Sequence, residues 1–155
     1  MEYEQVKAHY QSYQEKYKLP LFDQLCEQFE LEKIEAQPLC LLRTVRKHMM
    51  EKLINTLNFC DMLLNPGQAP RMYHAFLKVQ TKEDSERIEQ MYKAFASISL
   101  DCLALEKEYN ETQEATMILR IAAVWNEQKE NFSQLMYAIA NPKKAEARKE
   151  KSYFG

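Results

Sequence analysis

Glycine is close to missing from this chain: two residues in 155, Gly67 and Gly155, beside only five prolines. An all-β protein needs a turn every 8 to 12 residues or so, and turns draw heavily on those two residue types. Their scarcity excludes a strand-rich architecture and predicts long, unbroken elements. Long apolar runs are absent too. None approaches the roughly 18 residues needed to cross a bilayer, and the start, Met-Glu-Tyr-Glu-Gln, lacks the basic and apolar regions of a secretory leader. A cytoplasmic protein that makes no membrane contact is expected. The four cysteines, Cys26, Cys40, Cys60 and Cys102, lie 14, 20 and 42 residues apart with no Cys-x-x-Cys pair. That spacing suits reduced side chains on or beside apolar helical faces, not a disulfide framework or a zinc site.

What is present is helical periodicity. Tyr3, Val6, Tyr10, Tyr13 and Tyr17 follow one another at intervals of 3, 4, 3 and 4, one face of a helix over residues 2–18 whose remaining positions are polar apart from Ala8. Pro20 suits the first turn of a second helix, with Phe22, Leu25, Cys26 and Phe29 as its apolar face, and Pro38 opens a third. From Leu39 to Leu64 the positions Leu42, Val45, Met49, Leu53, Leu57, Cys60 and Leu64 keep helical spacing, about 39 Å of helix at 1.5 Å per residue. Asn65-Pro66-Gly67-Gln68-Ala69-Pro70 is a loop. Residues 71–79 are short and aromatic; with no second strand to pair with, they are read as a short helix.

Thr81 followed by Asp84 has the form of a helix N-cap with an acidic first turn. After it Ile88, Met91, Phe95, Ile98, Cys102, Leu105 and Tyr109 repeat the 3,4 spacing, predicting a helix over 82–109. Continuing that stripe would reach Thr112 and Thr116, but the apolar residues are Ala115, Ile118, Ala122, Trp125, Phe132, Met136 and Ile139, on another face. Asn110 with Gln113 three residues later reads as the cap of a new helix, 111–140, and hence as a long C-terminal helical hairpin. The expected fold is all-α, a bundle of five to six helices in a single domain over 1–141, with 2–18 a peripheral helix and 142–155 a charged, frayed tail.

Motifs that would carry chemistry are missing. The histidines His9, His48 and His74 follow Val6, Val45 and Arg71 at three residues, so the Glu-x-x-His spacing of bundle metal sites does not occur. Ser12, Ser85, Ser97, Ser99 and Ser133 have no glycine near them, and no glycine-rich phosphate loop exists. A non-enzymatic protein without cofactor or metal is expected.

Two features could meet a partner. The tyrosine face of Tyr3, Val6, Tyr10, Tyr13 and Tyr17 has the ring-and-hydroxyl composition of interfaces that tolerate water, and would bind another protein or a second copy. Alternatively the basic residues Arg43, Arg46 and Lys47, with Lys143, Lys144, Arg148 and Lys149 of the tail, would contact phosphates of a nucleic acid. A pI near 6.0 argues against a dedicated nucleic-acid binder. The charge is also segmental, −4 over residues 1–36, +4 over 37–80, −5 over 81–140 and +3 over 141–155, so the basic stretch could instead pair with acids of its own chain, such as those in 82–91.

Overall fold

The computed structural model describes residues 2–35 and 38–142. Six α-helices and no strand occur among them: α1 Tyr3–Tyr17, α2 Phe22–Phe29, α3 Leu41–Leu64, α4 His74–Val79, α5 Lys82–Ala104 and α6 Glu111–Ala140. Short 3-10 turns at Leu31–Lys33, Pro38–Cys40, Pro66–Gln68 and Arg71–Tyr73 sit between them. The chain is all-α, as its lack of turn residues requires. Residues 71–79 are helical, opening as a 3-10 turn and continuing as α4. The expected tail from 143 onward, including Lys143, Lys144, Arg148 and Lys149, lies outside the described residues.

The chain divides into two compact units, one of residues 1–55 and 97–125, the other of 56–96 and 126–155, so that α3, α5 and α6 each contribute to both. In the first unit Leu42, Val45, Met49 and Leu53 of α3 are buried as their spacing predicts, with Ile98 of α5 and Ile118, Ile121 and Trp125 of α6. Burying side chains of this size stabilises the fold by roughly 1.5–3 kcal/mol each before entropy is subtracted. In the second unit Cys60, Leu63, Phe76, Ile88, Met91, Phe95, Leu135 and Ala138 are buried.

The first three helices stop at local signals. Pro66 ends α3 by lacking an N–H, while Asn65 Nδ2 donates to Asp61 O at 2.8 Å. Helices α1 and α2 close on left-handed residues, Lys18 (φ 57°) and Glu30 (φ 56°), whose N–H groups donate to Gln14 O and Cys26 O. The C-terminus of α2 is also closed from α3: the Lys52 ammonium donates to Gln28 O, and His48 Nε2 lies 3.2 Å from Glu30 O. The same ammonium stands over the Trp125 ring at 4.5 Å and the Phe29 ring at 5.9 Å, and burial there lowers its pKa.

At the start of α5 the cap is reciprocal, Asp84 N donating to Thr81 Oγ1 and Thr81 N to Asp84 Oδ2, both at 3.1 Å. Asn110 caps α6, its Oδ1 accepting from Gln113 N at 3.0 Å. The break before α6 comes earlier than the apolar stripe suggests. Helix α5 ends at Ala104 instead of 109, because the carbonyls of Leu105 and Glu108 turn to Arg43 Nη2, 2.8 Å from each. Beyond the turn, Arg120 of α6 reaches back to Asp101 of α5 at 2.5 Å.

Candidate interaction site

The tyrosine face and the described basic residues, Arg43, Arg46 and Lys47, fall in the first unit, and both reach the first turn of α6. Along α1 the tyrosine face is turned onto the chain itself. Tyr3 packs its ring 5.8 Å from Phe22 and sets its hydroxyl 3.8 Å from Cys26 Sγ. Val6 and Tyr10 are 1% and 0% exposed, so neither has surface left for a partner while α1 is seated. The Tyr10 ring lies 5.1 Å from Phe22 and its hydroxyl donates to Pro20 O at 3.1 Å. Burial drives that phenol far above its ordinary pKa.

Toward its C-terminus α1 becomes wetter. Tyr13 is half-buried and stacked between His9 (5.2 Å) and Tyr17 (6.5 Å). Tyr17 donates its hydroxyl to Glu111 Oε1 at 2.5 Å, and Lys16 Nζ reaches the same oxygen at 2.6 Å. Hydrogen bonds from Lys16 and then Tyr17 hold the Glu111 carboxyl below the ordinary carboxylate range. Earlier on the helix Lys7 Nζ grips both oxygens of Asp23, at 2.7 and 2.9 Å. Of the fifteen residues of α1 only Val6 and Tyr10 are buried. The rest of its attachment combines the half-buried rings of Tyr3, Tyr13 and Tyr17 with ion pairs open to water, and exposed ion pairs are individually worth little, about 0–1 kcal/mol.

The basic residues of α3 are placed differently. Arg46 is 2% exposed: its Nε donates to Glu114 Oε2 at 2.5 Å and its Nη2 to Glu106 Oε1 at 2.8 Å. Arg43 donates from Nε to the other Glu114 oxygen at 2.8 Å, and its guanidinium lies 5.3 Å from the Tyr109 ring centroid. Lys47, half exposed, pairs with Glu106 Oε2 at 2.9 Å, and that bond and Arg46's lower the Glu106 pKa. A phosphate could therefore reach Lys47, but not Arg46, whose charge is spent inside the chain. The acids that neutralise this cluster are Glu106 and Glu114, not those of 82–91.

Sequence reasoning passed over Glu106, Glu111 and Glu114, which organise both groups. One signal for Glu114 was available. It stands four residues before Ile118 and seven before Ile121, on the buried stripe of α6, and a carboxylate at a core position requires a cation. Glu106 and Glu111 carry no such mark, since each is one of several acids beside a turn.

The thiols are free, with Cys26, Cys60 and Cys102 buried and Cys40 partly so. Among the described residues no group of three or more histidine, cysteine, aspartate or glutamate side chains is placed to hold a metal, and no helix is long and apolar enough to cross a membrane. Comparison of the chain with protein-family models, curated proteins and solved structures finds no match.

Proposed function

We propose that this chain is a non-enzymatic helical interaction protein whose working element is α1. The reading is carried by the way α1 is attached: two buried side chains, the half-buried rings of Tyr3, Tyr13 and Tyr17, and ties through Lys7, Lys16 and Tyr17 that water can compete for. A helix held in this way opens at lower cost than the helices around it, because free energies of local opening follow buried contacts. Tyrosine rings suit such an element, being apolar enough to pack and polar enough to be wetted when it moves. Tyr3, Tyr13 and Tyr17 keep exposed edges while α1 is seated; Val6 and Tyr10 become available only when it leaves.

A photoreactive phenylalanine analogue placed at Tyr13 tests the proposal in the full chain. Position 13 is expected to give an intermolecular adduct, with a second copy or a bound protein, that the same probe at Thr112 or Ser133 does not give. Adducts confined to a single chain, or the same intermolecular yield from all three positions, would refute the reading.

A further inference from the structure

Resting on that reading of α1, we infer that two copies of this chain exchange the helix, α1 of each seating on α2 and α6 of the other. The surface beneath α1 has one occupant whose fit is on display, and that occupant is α1. Phe22 receives the Tyr3 and Tyr10 rings, Asp23 receives Lys7, and Glu111 receives Lys16 and Tyr17. A second copy's α1 would restore each of these contacts without alteration, which makes exchange a low-cost route to a dimer.

The linker favours it. Four residues, Lys18 to Leu21, separate the end of α1 from the start of α2. Lys18 sits in the left-handed region at φ 57°, ψ 40°, a conformation that a side chain with a Cβ resists. Pro20 has its φ fixed near −65° and biases Leu19, before it, toward extended backbone. Straightening the linker releases the Lys18 strain and lets four residues span about 13–14 Å. Closed and exchanged forms thus differ in linker conformation and in the entropy of pairing two chains, since the contacts of α1 are common to both. The balance between them is set by protein concentration and by residue 18.

The experiment measures molar mass by light scattering over a wide concentration range, together with maleimide labelling of Cys26 located by peptide mass; the likewise buried Cys60 and Cys102 report global unfolding. Lys18→Gly removes the strain from the closed turn of each of the two chains and is expected to weaken dimerisation about 25-fold to 900-fold, fivefold to thirtyfold for each chain. Lys18→Pro cannot adopt the positive φ and is expected to be dimeric with Cys26 still shielded. A monomeric Lys18→Pro chain whose Cys26 labels readily would overturn the exchange while leaving α1 a detachable helix. A monomer with Cys26 shielded would overturn both. Should Lys18→Pro not fold, charge reversal decides. Lys7→Asp and Asp23→Lys each place like charges together within one chain, and mixing them restores both pairs only through exchange. A dimer that forms on mixing supports the inference, and its absence contradicts it.

Discussion

Glu114→Ala strikes a buried carboxylate that two arginines share. Its side chain is 1% exposed, and each oxygen accepts from a different arginine of α3, Arg43 at 2.8 Å and Arg46 at 2.5 Å. Removing it leaves the Arg46 guanidinium, 2% exposed, with Glu106 alone as counter-ion. Stripping one partner from a buried ion pair costs about 3–5 kcal/mol, because the remaining charge stays out of water without compensation. For a chain of this length each kcal/mol lowers the melting temperature by about 2–4 °C, so the variant should melt about 6–20 °C below the parent. Glu106→Ala is the control, since its side chain is 41% exposed and its pairs are screened by solvent. Thermal and urea unfolding followed by far-ultraviolet circular dichroism would supply both values. A loss below about 1 kcal/mol for Glu114→Ala, or one no larger than for Glu106→Ala, would refute the assignment of a central structural role to this cluster.

Three further outcomes are expected. Asn110→Ala removes the side-chain acceptor of the Gln113 N–H at the start of α6 and should cost about 0.5–2 kcal/mol in the same unfolding assays, with Asn110→Asp close to the parent. Stability should fall on acidification. Glu106 and Glu111 are held below their ordinary pKa by Lys47 and Arg46 and by Lys16 and Tyr17, so the contribution is present above the unfolded value of 4.5 and is lost as pH drops below it through the folded values. Melting temperatures that stay flat between pH 6 and pH 3 would contradict that sign. Native thiol labelling near pH 8 should modify partly exposed Cys40 first and Cys60 last, because burial pushes the Cys60 thiol up to about 12 from 9.0. Reaction of Cys60 at the rate of Cys40 would show that its helix opens far more readily than its burial implies.

Much of the fold was legible because it depends on local periodicity. The 3,4 spacing of Leu42 to Leu53 and of Ile88 to Cys102 marks faces that are buried, and Asn110 marks the start of α6 as its capping geometry requires. The end of α5 was not legible. Leu105 and Tyr109 keep the apolar phase, and what breaks the helix is Arg43, 62 residues from Leu105, drawing off its carbonyl. Ion pairing followed the same rule. The segmental charges allowed that basic and acidic stretches could pair within the chain, but the choice of Glu106 and Glu114 over the acids of 82–91 is a matter of tertiary contact, to which neither spacing nor composition speaks. The tyrosine stripe lies between these cases: its common face was plain from spacing, whereas the split into buried Val6 and Tyr10 and half-buried Tyr3, Tyr13 and Tyr17 depends on where Phe22 and Glu111 stand.

The central claim, that α1 is the detachable element of its unit, is tested most directly by native-state hydrogen exchange resolved along the chain. The account predicts that amides of residues 6–17 exchange by local opening, at least about tenfold less protected than those of residues 45–53 in α3, which is a difference of about 1.4 kcal/mol in opening free energy. Equal protection in the two segments, with α1 exchanging only when the unit unfolds as a whole, would contradict it.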